Sequence, residues 1–102
     1  MPQYEVRIKD SLGNDLFTMA QRGHIISALA TYRFYKEREQ VGKTIFGPEG
    51  LPPGMDVAAV SIVKLEYAKT TVLIRHPYST PLTADEAAAA KELESKIEEM
   101  ES

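Results

Sequence analysis

The segment 41–56, VGKTIFGPEGLPPGMD, contains the residues most suggestive of phosphate chemistry. Gly42, Lys43 and Thr44 match the end of a Walker A loop, in which backbone amides and the lysine bind phosphates. Such a loop also requires a glycine five residues before Gly42, a position that Glu37 occupies here. It further requires a preceding strand and a following helix, whereas this motif follows a predicted helix and leads into Gly/Pro-rich chain. The spacing and the context therefore argue against a nucleotide-binding loop.

Nucleophilic catalysis has one candidate group in this sequence, in which Ser79 and Thr80 follow His76 closely. A catalytic base and its nucleophile are normally brought together by the fold, and neighbours along a loop seldom form such a pair. The second histidine, His24, lies at the start of a predicted helix, far from His76 along the chain. We therefore expect no enzymatic activity, no metal site and no cofactor.

A mixture of cations and aromatic rings suggests a contact surface on the first predicted helix. Its cations are Arg33, Lys36 and Arg38, its aromatic residues are Tyr32, Phe34 and Tyr35, and Lys43 follows in the next segment. Cations bind phosphates and aromatic rings stack on bases, so this pattern keeps nucleic-acid binding as an alternative function. The helix–sheet–helix order of 24–99 is also similar in outline to the double-stranded RNA-binding domain. It has two predicted strands instead of three between the helices, and an acidic last helix.

Length and composition bound the class of protein. The 102 residues, 43% hydrophobic and 26% charged, predict one globular domain spanning 1–102. The chain has no cysteine, which rules out disulfides, thiolate nucleophiles and cysteine-ligated metals within it. No apolar run approaches the roughly 18 residues of a membrane span, and the first residues lack the order of a signal peptide. We expect a cytoplasmic location and no membrane contact.

The net charge of −3 is distributed unevenly along the chain. Residues 83–102 contain seven acids and two lysines, a net charge of −5, while the other 82 residues contain ten cations and eight acids, a net charge of +2. Nucleic-acid-binding domains usually present a basic face. This imbalance therefore favours a protein partner and leaves room for only a small basic patch.

Hydrophobic periodicity predicts the first three elements. Residues 4–9 alternate apolar and charged side chains as a half-buried strand does, and a turn-rich stretch leads to a second strand at 16–19. The period then becomes helical from Ile25 to about Gln40. One stripe contains Ile25, Ala28, Leu29, Tyr32 and Tyr35. Phe34 falls on the opposite, solvent-facing side, where a ring is available to a partner.

The next segments are a loop and a β-rich stretch. We predict a packed loop at 41–56, in which Phe46 and Leu51 contact the body of the domain. The β-branched stretch 57–76 predicts two antiparallel strands joined around 68–70, with Val72 and Ile74 on one face. A buried helix at 57–68, capped by Asp56, remains the alternative because the proposed turn lacks Gly and Asn.

The last predicted element is an acidic helix at 83–101. Thr83 and Glu86 have the spacing of a capping box, which fixes its start. Its apolar stripe is narrow and contains Ala89 or Ala90, Leu93, Ile97 and Met100. Such a stripe packs on the domain's own sheet or pairs with a second copy, so the chain is a monomer or a homodimer. We expect the acids of this helix to be exposed to solvent.

These elements predict an α+β fold. It is a two-layer sandwich with an antiparallel sheet of about four strands, in the order β-β-α-β-β-α, and two helices on one face. We expect a non-enzymatic protein–protein interaction module that regulates, inhibits or scaffolds a larger complex, as a phage or mobile-element accessory protein does on a host machine. The predicted partner-binding residues are Arg33, Phe34, Lys36, Arg38, Lys43, Phe46 and Leu51.

Overall fold

A four-stranded antiparallel sheet forms one layer of the protein, and helices pack on one of its faces. The computed structural model describes residues 2–21, 24–78 and 81–100. In chain order the elements are β1 (Gln3–Lys9), β2 (Asp15–Gln21), α1 (Ile25–Tyr35), α2 (Arg38–Val41), a π-helical segment (Gly42–Phe46), β3 (Ala59–Glu66), β4 (Lys69–Pro77) and α3 (Ala84–Glu99). The predicted α+β class and the four antiparallel strands are confirmed.

The sheet has the strand order β2-β1-β3-β4, so β1 and β3 are central while β2 and β4 are edges. Tyr4, Val6 and Ile8 alternate with charged residues along β1, and all three are buried as the sequence predicted. Val6 and Ile8 lie opposite Ile62 and Val60 of β3. Together they form the apolar face on which the helices pack.

Helix α1 buries all five residues of its predicted stripe, which pack in one core cluster with the sheet. The helix ends at Tyr35 and not at Gln40, because Glu37 has an extended backbone and the chain restarts as α2. Val41, the last residue of α2, is completely buried. The following π-helical segment means that 41–56 is not irregular throughout, contrary to the predicted loop.

Gly42, the glycine of the Gly-Lys-Thr triplet, lies in helical backbone and has a packing role. A Cβ atom at this position would approach the backbone nitrogen of Leu51 to 2.7 Å. Contacts that close do not occur at real Cβ atoms, so only glycine lets the segment around Leu51 pack against the π-helical segment.

The stretch after the loop forms strands, so the alternative helix at 57–68 is wrong. Asp56 caps no helix, and its carboxylate accepts a hydrogen bond from the Ser11 amide at 2.9 Å. The β3–β4 turn consists of Tyr67 and Ala68, one residue earlier than predicted, and both have positive φ. A bulge between Ile62 and Val63 leaves one residue of β4 without a partner.

The bulge also corrects a predicted strand face. Ile74 lies opposite Ile62 while Val72 lies opposite Val63, so Val72 and Ile74 are on different faces of the sheet. Accordingly Ile74 is buried in the core, whereas 55% of the Val72 surface is exposed.

Helix α3 begins at the predicted capping box. The Glu86 amide donates to Thr83 Oγ1 at 3.2 Å, and the Thr83 amide donates to Glu86 Oε1 at 3.1 Å. The predicted apolar stripe is partly wrong, because Ile97 is buried but Leu93 and Met100 are 41% and 52% exposed. Among the helices of the described residues, none has the length and apolar character required to cross a bilayer.

The β3–β4 turn supplies a test of the fold. Two consecutive residues at positive φ are typical of a type I′ hairpin, which favours glycine at its second position. Ala68 has φ 61°, so we expect Ala68→Gly to stabilise the protein by about 0.5–1 kcal/mol in urea denaturation. The control is Ala88→Gly on the exposed side of α3, which should destabilise by about 1 kcal/mol. Destabilisation by both substitutions would contradict the turn geometry.

Candidate functional site

Phe34 lies on the outward side of α1, where 46% of its surface is exposed. Its ring packs edge-on against Tyr35, with the centroids 5.0 Å apart. A shallow depression of about 440 Å³ surrounds it, lined by Met19, Ala30, Thr31, Phe34 and Tyr35. The predicted outward position of Phe34 is therefore observed, next to a concave surface that the sequence did not indicate.

A second apolar stripe extends along α1 from Phe34. Ile26, Ala30 and Phe34 are four residues apart and therefore lie on the same side of the helix. All three are exposed, Ile26 to 43%. Most helices that cover a sheet have one apolar face and one polar face. Helix α1 has an apolar stripe on both sides, and only one of the two contacts the core.

The cations beside Phe34 are paired with carboxylates of α3. Arg33 Nε donates to Glu94 Oε1 at 2.7 Å, and Arg33 Nη2 donates to Glu98 Oε1 at 2.7 Å. Lys36 Nζ lies 3.6 Å from Glu94 Oε2 and 5.8 Å from the centre of the Tyr32 ring. These hydrogen bonds, first to Glu94 and then to Glu98, raise the pKa of Arg33.

The burial of Glu94 corrects the expectation that the acids of the last helix are all exposed. Only 6% of the Glu94 surface is accessible, which makes it one of two residues that α3 buries. An isolated buried carboxylate is costly, and two cations at ion-pair distance offset that cost. The position of Glu94 three residues before Ile97 places both side chains towards α1 and the core.

The other predicted residues lie around α2 and the π-helical segment. Arg38, Lys43 and Leu51 line a cavity of about 380 Å³ together with Glu39, Gly42, Pro48, Glu49 and Gly50. Lys43 Nζ is 2.8 Å from Glu39 Oε1. The Phe46 ring contacts Phe17 edge-on at 5.6 Å, and Leu51 packs against the core cluster. These contacts account for Phe46 and Leu51 as residues that attach the segment to the body.

The seven predicted partner-binding residues therefore form three groups. Arg33 and Lys36 contact α3, Phe34 belongs to the outward stripe of α1, and the remaining four lie in the π-helical segment or beside it. No described contact joins these groups into one site.

A partly buried polar cluster beside α1 and β4 was not predicted. The His76 ring packs edge-on against Tyr78 at 6.2 Å, and the Tyr78 hydroxyl donates to the Tyr35 carbonyl. Within the described residues, Tyr32 Oη and His76 Nδ1 are buried without a hydrogen-bond partner. Burial raises the pKa of Tyr32 and of Tyr78 well above their ordinary values.

His76 is the candidate catalytic base of the sequence, with Ser79 and Thr80 as candidate nucleophiles. Ser79 and Thr80 lie outside the described residues. Among residues 2–21, 24–78 and 81–100, no three His, Asp or Glu side chains are placed to hold a metal ion. Comparison with models of known protein families, with curated proteins and with solved structures finds no match to this chain.

The ion pairs of Glu94 predict that neutralising this residue costs more stability than neutralising Glu92 in the same helix. Glu94→Gln removes the charge that Arg33 and Lys36 surround, and we expect it to lower the unfolding free energy by about 1–2 kcal/mol. Solvent screening of Arg33, whose side chain is 46% exposed, keeps the loss below that of a fully buried pair. Glu92→Gln, at a position 70% exposed beside Lys96, should cost less than about 0.5 kcal/mol. Equal losses in urea denaturation would contradict the anchoring role of Glu94.

His76 predicts a pH dependence of stability. Burial, and then the charge of Lys36, lower the pKa of His76 from 6.5, against weaker opposing effects of Glu37 and Glu94. As the pH falls below about 6.5, the unfolded chain binds a proton that the folded chain does not, so stability is lost. His76→Gln should therefore lose less stability than the wild type between about pH 7 and pH 5. His24→Gln, at an exposed position, is the control, and identical pH profiles for the wild type and His76→Gln would disprove the prediction.

Proposed function

We propose that this protein is a non-enzymatic protein–protein interaction module that regulates, inhibits or scaffolds a larger complex through the outward stripe of α1. The supporting observation is the second apolar stripe, in which Ile26, Ala30 and Phe34 are exposed along one side of a helix. Solvent-facing apolar residues are common singly, but aligned ones beside a depression are typical of contact surfaces. The phage-accessory interpretation stays a prediction.

The state of the cations favours a protein over a nucleic acid as the partner. Phosphate recognition requires Lys and Arg side chains that can exchange counterions for phosphates. Arg33 and Lys36 are already bound by Glu94, and Lys43 is bound by Glu39. Of the four cations in the predicted nucleic-acid surface, only Arg38 has no ion pair among the described residues. An apolar surface flanked by neutralised cations suits a partner that presents apolar side chains.

Site-specific crosslinking in the cell that makes the protein tests this proposal. A photoreactive phenylalanine replaces Phe34 in one variant and Tyr67, which is 95% exposed at the β3–β4 turn, in the control variant. We expect a discrete crosslinked protein from position 34 that position 67 does not give. Equal products from both positions would reflect exposure alone and would argue against the outward stripe as the contact surface.

The partner identified by crosslinking is then used, without crosslinking, in affinity measurements. Phe34→Ala should weaken the binding of this partner by at least about 10-fold, equivalent to about 1.4 kcal/mol, while the melting temperature stays within a few degrees of the wild type. Tyr67→Ala is the matched control and should bind as the wild type does. A salt-sensitive complex with DNA or RNA that Arg33→Glu abolishes would instead support the nucleic-acid alternative.

A further inference from the structure

The edge strand β4 has a backbone that is paired on one side only. It is hydrogen-bonded to β3, and no strand of the described residues follows it in the sheet. Most of its residues are exposed, including Thr70, Thr71 and Val72. An exposed strand edge presents free amides and carbonyls to which another extended segment can bind as an additional strand.

A groove runs between β4 and α3 on the core side of this edge. It encloses about 290 Å³, and its apolar lining comprises Ile74, Pro77, Leu82, Ala89, Ala90 and Leu93. Ala89 and Ala90 have short side chains, which leave space between α3 and β4, and Leu93 is 41% exposed in that space. If a further strand paired with β4, every second side chain of that strand would face the groove and contact its apolar lining, because alternate residues of a strand face the same side.

The charges of β4 indicate which kind of extended segment can bind at this edge. Seven described cations are ion-paired: Arg7, Lys9, Arg33, Lys36, Lys43, Lys64 and Lys96. Lys69 and Arg75, both on β4, have no ion pair among residues 2–21, 24–78 and 81–100. They are exposed and six residues apart, and because of the bulge at Leu73 they face opposite sides of the sheet: Lys69 lies on the helix side and Arg75, opposite Ser61, on the open side. No acid lies between them along the strand. The nearest acids are engaged elsewhere, because Glu66, opposite Lys69, is paired with Lys64, and Glu86, which lines the groove, accepts from the Thr83 amide.

The same charges disfavour a second copy of this chain as the occupant. Antiparallel pairing of two β4 strands about Val72 would place Lys69 of each copy opposite Arg75 of the other. Like charges directly opposite one another destabilise a strand pair. Charged edges of this kind keep identical sheets apart, but they attract an extended segment of opposite charge.

We propose that β4 and the groove beside α3 bind an extended acidic segment of a partner protein as a fifth strand. The segment has β-branched or other apolar side chains at alternate positions, which lie over Ile74 and Leu93, and acidic residues that meet Lys69 and Arg75. The bulge in β4 divides the edge, so the backbone bonds form on either side of Leu73 and not through it. This surface is separate from the outward stripe of α1, which lies beside Met19 of the opposite edge strand, β2.

A synthetic peptide tests the proposal directly. The probe is the fluorescent hexapeptide Asp-Val-Thr-Val-Thr-Asp, which has one residue for each of the six positions of 69–75 other than Leu73, so that its two Asp residues face opposite sides as Lys69 and Arg75 do. Its binding to the full chain is measured by fluorescence anisotropy. We expect saturable binding with a Kd below about 1 mM. The double variant Lys69→Glu, Arg75→Glu should weaken binding at least about 10-fold, whereas Lys91→Glu, an exposed cation of α3, should change it less than about 2-fold.

A modified peptide separates strand addition from simple charge attraction. N-methylation of alternate amides preserves the charges and side chains but removes backbone donors, so this peptide should not bind detectably. Phe34→Ala should leave the binding of the unmodified probe unchanged, which distinguishes this surface from the proposed function of α1. The proposal would be overturned by the absence of saturable binding, by equal binding of the N-methylated peptide, or by concentration-dependent dimerisation of the wild type that excludes the peptide.

Discussion

The ion pairs of Glu94 with Arg33 and Lys36 determine how the C-terminal helix is held on the domain. Helix α3 has sixteen residues, of which only Glu94 and Ile97 are buried. One apolar side chain gives little hydrophobic stabilisation, about 1.5–3 kcal/mol for complete burial. The position of α3 therefore depends on a carboxylate whose burial is tolerated only where two cations surround it. Those cations lie in the last turn of α1 and directly after it, so the ion pairs fix the two helices relative to each other.

The same ion pairs decide what α1 can present to solvent. With Arg33 and Lys36 turned towards α3, the apolar residues Ile26, Ala30 and Phe34 form the surface of the helix on its outward side. The helix that the sequence predicted to present cations and aromatic rings therefore presents apolar side chains, and Glu94 neutralises the charges of Arg33 and Lys36 beside them. On the edge strand β4, by contrast, Lys69 and Arg75 have no ion pair among the described residues, so the two surfaces differ in charge.

Sequence periodicity could predict the elements whose side chains repeat regularly. The buried stripe of α1, the alternation of β1 and the capping box of Thr83 and Glu86 each depend on residues close together in the chain. The break after Tyr35 was not predicted, and the turn predicted around 68–70 lies at Tyr67 and Ala68, because tertiary packing places residues there against their local preference. The burial of Glu94 was hidden for the same reason: its neutralising partner, Arg33, lies 61 residues away.

The open face of the sheet explains why the candidate surfaces lie on α1 and at the edge of β4. The helices cover the other face, yet Ser61 and Val63 are each only 1% exposed on the open one. Arg7 and Glu5 lie beside them in register and are joined at 2.7 Å, and Arg7 also reaches Asp15. Long charged side chains can cover apolar surface with their stems while their ends stay hydrated. These ion pairs cover the open face over β1 and β3, and its exposed apolar surface lies at the β4 edge, where Val72 is 55% exposed. The apolar stripe of α1 and the unpaired edge of β4 are therefore the surfaces where burial or backbone pairing is still to be gained.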